Sequence, residues 1–120
     1  MNVTIYHNPR CSKSRLTLQA LEEKGIKPTI IEYLKTPPST DQINGLLSGL
    51  KLSPRDLMRK GEQEYKDNQL SNADLSTEAL VKAMHTHPKL IERPIVVVEN
   101  NGTEKIAIGR PLENVLNILE

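Results

Sequence analysis

The sequence contains no tryptophan and no phenylalanine, and its aromatic side chains besides histidine are three tyrosines. A surface that holds single strands by stacking bases on aromatic rings has little to be built from, and the core must be assembled from Leu, Ile and Val. There is one cysteine, which excludes an internal disulfide, a multi-cysteine zinc site and a CxxC oxidoreductase acting alone. A surplus of charge is missing too. The 16 Lys+Arg against 15 Asp+Glu leave a formal net charge of +1, the basic residues are scattered, and nucleic acid is not an expected partner. No apolar run approaches membrane-spanning length, and the N-terminus opens on the strand-like Val3-Thr4-Ile5-Tyr6 instead of a basic segment leading into an apolar one. The expectation is a cytosolic, cytoplasmic protein with no membrane partner, in which a lone thiol stays reduced.

What is present fits one globular domain over residues 1–120. A chain of this length buries about two-thirds of its unfolded surface and needs no disulfide or structural metal. Val3 to Tyr6 form a β-branched run closed by Asn8-Pro9. Ser12 to Lys24 lacks Pro and Gly, Ser14, Leu18 and Leu21 share one helical face, and Gly25 stands where a left-handed C-cap belongs. Pro28 to Tyr33 reads as a second strand, which completes a βαβ unit with parallel strands.

An all-helical insert is expected over about residues 36–90. It opens after Thr36-Pro37-Pro38 with a Ser39/Gln42 capping box and Ile43, Leu46, Leu47 and Leu50 at i, i+3, i+4, i+7. A short helix is expected from Ser53-Pro54 to Gly61, placing Arg59 at its end, and another from Ser76 to His87-Pro88. Ile95 to Val98 and Lys105 to Ile108 pair as a hairpin across Asn100-Asn101-Gly102, and Pro111 opens a last helix carrying Leu112, Val115, Leu116 and Leu119. The order βαβ, helical insert, ββα is the α/β, thioredoxin-like arrangement, a four-stranded mixed sheet covered by helices.

Cys11 falls between the end of a strand and the start of a helix, where free N–H groups and the positive dipole end stabilise a thiolate. A lone cysteine can also be an inert core residue, but its flanks, Asn8-Pro9-Arg10 and Ser12-Lys13-Ser14, are polar. Cys11-Ser12-Lys13-Ser14 is CxxS, so any adduct on Cys11 must be resolved by another molecule's thiol. Ser12 and Ser14 can equally be helix caps. Arg15 is too close for a Cys-x5-Arg phosphate loop, and Thr17 holds the place that loop's arginine would need. Arg59, Arg93 and Arg110 stand at junctions, and arginine grips tetrahedral oxyanions through paired hydrogen bonds. In a thioredoxin-like fold the loop before the third strand lies against the cysteine turn, which places Arg93 to meet Cys11 and makes a cis Arg93-Pro94 bond the expectation. His7 can tune the thiolate, shuttle a proton, or simply cap. His85 and His87 are read as surface residues.

The segments His7-Asn8-Pro9-Arg10-Cys11-Ser12-Lys13-Ser14-Arg15, Thr36-Pro37-Pro38, Leu57-Met58-Arg59-Lys60, Glu92-Arg93-Pro94-Ile95-Val96-Val97 and Gly109-Arg110-Pro111 together resemble the glutaredoxin-dependent arsenate reductase (ArsC) family over essentially the whole chain. Ser12-Lys13 replaces the Gly-Thr that the best-known members carry, and the chain stops directly after its last helix. The likeness is therefore to the shorter, arsenate-reductase-like branch. The resemblance implies an enzyme in which Cys11 is the nucleophile, Arg59, Arg93 and Arg110 bind the oxyanion with Ser14 beside them, and His7 tunes the thiol. It also implies arsenate as substrate, glutathione as co-substrate, glutaredoxin as partner and no tightly bound cofactor or metal. A monomer is expected. Two alternatives stand beside it: a regulator of the Spx type that binds RNA polymerase, and a monothiol glutathione-handling protein without arsenate activity.

Overall fold

The computed structural model describes residues 1–119. Strand β1 (Asn2–His7) buries Val3, Ile5, Tyr6 and His7. Helix α1 (Ser12–Glu23) follows and ends in a Schellman motif, in which Gly25 at φ 78 donates to Glu22 O and Ile26 N–H reaches Leu21 O at 3.1 Å. Only a residue without a Cβ takes that left-handed position at no cost. Strand β2 (Thr29–Glu32) runs parallel to β1, with Thr4 opposite Thr29 and His7 opposite Glu32.

Strand β3 (Ile95–Asn100) pairs antiparallel with β1, and β4 (Thr103–Ile108) with β3, giving the order β2-β1-β3-β4. Asn101 and Gly102 connect the last two strands, and both have positive φ. A two-residue hairpin whose twist matches its strands requires that geometry. Helix α5 (Glu113–Ile118) closes the chain. Val3, Ile5, Val96, Val98 and Ala107 face Leu21 of α1 and Val115 of α5. Each such aliphatic side chain contributes about 1.5–3 kcal/mol when fully buried. This is the mixed thioredoxin-like sheet that the sequence pattern implies.

Two compact units divide the chain: Met1–Thr36 with the segment from Arg93 onward, and Pro37–Glu92. The second is the helical insert. It holds α2 (Thr40–Leu50), a 3-10 turn (Pro54–Leu57), α3 (Gln63–Asp67), α4 (Thr77–Thr86) and a second 3-10 turn (Pro88–Leu90). The Ser39/Gln42 capping box forms at 2.8 and 3.1 Å. Helices α2 and α4 pack together, burying Ile43, Leu46, Leu47, Leu80, Val81 and Met84.

Three expectations need correction. The helix from Ser53 stops at Leu57, not Gly61, because Met58 is extended and bridges Ile91, with Arg59 N–H on Leu90 O at 2.6 Å. Arg-Lys-Gly mimics a helix end, but a pairing distant in sequence takes those backbone groups. Helix α3 was not foreseen, since five residues carry no periodicity. The last helix begins at Glu113, two residues after the Pro111 expected to open it; both Arg110-Pro111 and the expected Arg93-Pro94 are cis. His85 is exposed as read, and its Nδ1 lies 2.8 Å from Pro38 O.

Gly109 marks the tightest approach near the sheet end. A Cβ there would lie 2.7 Å from Thr17 Oγ1 and 2.8 Å from Pro94 Cγ. Neither neighbour can retreat easily, because Thr17 is fully buried and bonded to Lys13 O at 2.9 Å, and Pro94 O accepts from Gly109 N–H at 2.9 Å. Gly109→Ala should therefore destabilise the fold by about 1–3 kcal/mol in urea unfolding; an unchanged midpoint would contradict this close packing.

Candidate active site

The turn between β1 and α1 is tied by its own polar groups. Cys11 N–H donates to Asn8 O, and Arg10 N–H to Asn8 Oδ1, both at 3.0 Å. Asn8 N–H in turn donates to Ser14 Oγ at 3.0 Å. Cys11 is the N-cap of α1, with φ −95 and ψ 122. Its sulfur therefore occupies the place where a serine or aspartate oxygen would receive the orphan N–H groups of the first turn. The first turn of α1 carries no acidic side chain, so its positive end is left for the thiolate.

Two guanidinium groups meet that sulfur. Arg93 is hydrogen-bonded to it, and Arg110 Nη2 donates to Sγ at 3.5 Å. Arg110 Nε also donates to Arg93 O at 2.7 Å, so the two arginines brace each other. Among the described residues, none is hydrogen-bonded to the buried Arg93 Nε. Cys11 itself is only 9% exposed. Burial pushes the thiol up, but the Ser14 N–H, the Arg93 guanidinium and the Lys13 N–H together outweigh it and bring the pKa from 9.0 down to about 7.

His7 and Ser14 stand behind the thiol. His7 is 6% exposed, and its Nδ1 lies 2.6 Å from Ser14 Oγ. Burial lowers the imidazole pKa, with Arg15 adding to the effect and Glu32 opposing it, so His7 is neutral near pH 7. Ser14 is 0% exposed. Its hydroxyl is bonded to His7 and Asn8, and its backbone N–H faces the sulfur. Sequence reasoning also missed Asn8, whose signal was the Asn-Pro pair it read only as a turn.

Arg59 belongs to the helical unit. It follows the Met58–Ile91 bridge instead of ending a helix, its Nε lies 3.3 Å from Glu62, and its buried Nη1 has no hydrogen-bond partner among the described residues. Among the described residues, no three His, Cys, Asp or Glu side chains gather as a metal site, and no helix is long and apolar enough to cross a membrane.

A β2-β1-β3-β4 sheet with a low-pKa cysteine at the strand–helix junction, bonded to the residue before a cis-proline, defines a thioredoxin-like protein built around a single thiol. Residues 6–118 match the ArsC family model, and the chain belongs to that family. It is 52% identical over 118 residues to the uncharacterized protein YfgD of Escherichia coli strain K12, covering 98% of this chain and 96% of the relative. It is 48% identical over 120 residues to the arsenate reductase of Haemophilus influenzae, covering 99% and 100%. Among solved structures, the arsenate reductase from Vibrio cholerae superposes with a TM-score of 0.89 at 50% identity, covering 98% of each chain.

Alkylation of Cys11 by iodoacetamide should rise with pH through a midpoint of about 7. The fold favours the thiolate, so Cys11 adds stability that is fully present above the unfolded thiol's pKa and lost as pH falls through about 7. Arg93→Ala should raise the alkylation midpoint by about one pH unit. A midpoint indifferent to Arg93 would contradict the site's electrostatics.

Proposed function

We propose that this protein reduces arsenate to arsenite through a covalent adduct on Cys11. One observation carries the reading: a thiol with a pKa of about 7 lies at a helix N-terminus in direct contact with two guanidinium groups. A thiolate and an arsenate anion repel each other. Arginines beside the sulfur offset that repulsion and orient the oxyanion for in-line attack. Arg93 and Arg110 serve as anion ligands, and the unpartnered Arg93 Nε leaves a donor for a substrate oxygen. Arg59 is assigned the same role on its chemistry, a tethered guanidinium with a buried Nη1 to satisfy. His7 and Ser14 hold the turn that presents the sulfur.

In the proposed cycle the Cys11 sulfur forms a bond to arsenic(V), and an As–O bond breaks, its oxygen leaving as water after protonation. The glutathione sulfur then attacks the Cys11 sulfur; an S–S bond forms, the S–As bond breaks with its electron pair going to arsenic, and a glutaredoxin thiol attacks the glutathione sulfur of that mixed disulfide and frees the Cys11 thiolate. Two thiols thereby give up two electrons and become a disulfide, arsenic(V) becomes arsenic(III), and arsenite leaves. The chain holds no second cysteine, and Ser14 at the CxxS position is too weak a nucleophile to resolve the adduct. The reductant must therefore be external. A monomer working in the cytoplasm, where glutathione keeps thiols reduced, completes the proposal.

Arsenate-dependent glutathione oxidation with glutaredoxin present is the direct assay. Without glutathione, turnover should stop at one adduct per chain by mass spectrometry, and Cys11→Ser should abolish it. Arg93→Lys and Arg59→Lys should each lower kcat/KM by about tenfold or more, since a point charge replaces a planar fork. Multiple turnovers without glutathione, or activity surviving in Cys11→Ser, would overturn the mechanism. Absent arsenate turnover with an intact glutathione adduct on Cys11 would identify the monothiol reading instead.

A further inference from the structure

The sheet register brings a buried tyrosine to the end of the molecule where the thiol sits. Tyr33 follows directly on Glu32, the parallel partner of His7. Arg93 stands two residues before Ile95, the antiparallel partner of Tyr6. Strand β1 lies between β2 and β3, so Tyr33 and Arg93 flank the turn that carries Cys11 from its two sides. Tyr33 is 1% exposed, and it interacts electrostatically with the Arg93 side chain.

We propose that Tyr33 is a positioning residue: its phenol oxygen accepts from the Arg93 guanidinium and fixes that group against the Cys11 sulfur. An arginine has long, freely rotating methylenes, and ordering them costs side-chain entropy. A guanidinium held at two points, sulfur on one side and phenol on the other, meets that cost before a substrate arrives, which is the general advantage of a preorganised charge. A buried phenol calls for a hydrogen-bonding partner, and in the proposed clamp the Arg93 guanidinium is its donor. Burial lowers the Arg93 pKa, while Cys11 and Tyr33 outweigh it and hold the guanidinium above its ordinary value, as such a clamp requires. The aromatic body of Tyr33 could pack as well without its hydroxyl, so the hydroxyl is the part this role explains.

The proposal rests on the reading above only in taking the Cys11 thiolate as the working group, and its test needs no arsenate. Alkylation of Cys11 would be followed against pH in the wild type, Tyr33→Phe, Arg93→Ala and the double variant, with folding checked by circular dichroism. Tyr33→Phe should move the midpoint upward by about half to one pH unit in the wild-type background and leave it unmoved when Arg93 is already Ala. An unmoved midpoint in Tyr33→Phe, or an equal movement in both backgrounds, would overturn the proposal. Should Tyr33→Phe fail to fold, side-chain nitrogen NMR of the wild type decides. A pinned Arg93 shows hindered guanidinium rotation, whereas a guanidinium as mobile as that of the exposed Arg10 would overturn the clamp.

Discussion

A thiolate held in a place that burial alone would forbid is the constraint around which this protein is arranged. Cys11 is nearly enclosed, and enclosure favours the neutral thiol. The anion persists because the N–H groups of Ser14 and Lys13 and the guanidinium of Arg93 face it, and these come from segments far apart in the chain. The helix must begin at Cys11, the turn before it must be rigid, and the loop before β3 must deliver Arg93. The Asn8 bonds fix the turn, Ser14 ties the helix back to it, and Arg110 grips the Arg93 carbonyl.

The sheet is the frame that makes those placements compatible. Parallel pairing of β1 with β2 and antiparallel pairing with β3 bring the ends of three segments together beside one cysteine. A core of aliphatic side chains between the sheet and helices α1 and α5 sets the level at which the turn sits. Gly109, with no room for a Cβ beside Thr17 and Pro94, lets the segment leading to Arg110 pass close to α1. The stability of the aliphatic layer and the precision of the thiol site are thus consequences of the same packing.

Much of this was legible in the sequence because it is local or periodic. The N-cap cysteine, the Gly25 stop, the Ser39/Gln42 box and the Asn-Gly hairpin each have a short-range signature. The inward turn of Ser14 was half visible, since it shares a helical face with the buried Leu21, but its bonds to His7 and Asn8 were not. What stayed hidden depends on partners distant in sequence. The Met58–Ile91 bridge displaced the expected end of the helix near Arg59, and no local pattern announces such a pairing. Tyr33 read as the last residue of a strand, because nothing in PTIIEY says that it interacts with an arginine sixty residues on.

The mechanism requires that Cys11 be the atom that meets the oxyanion. A crystal structure of the protein treated with arsenate in the absence of glutathione measures that most directly. Arsenic bonded to Cys11 Sγ, with its oxygens within hydrogen-bonding distance of Arg93 and Arg110, is the predicted result. Well-occupied arsenic at another site, with Cys11 unmodified, would contradict it.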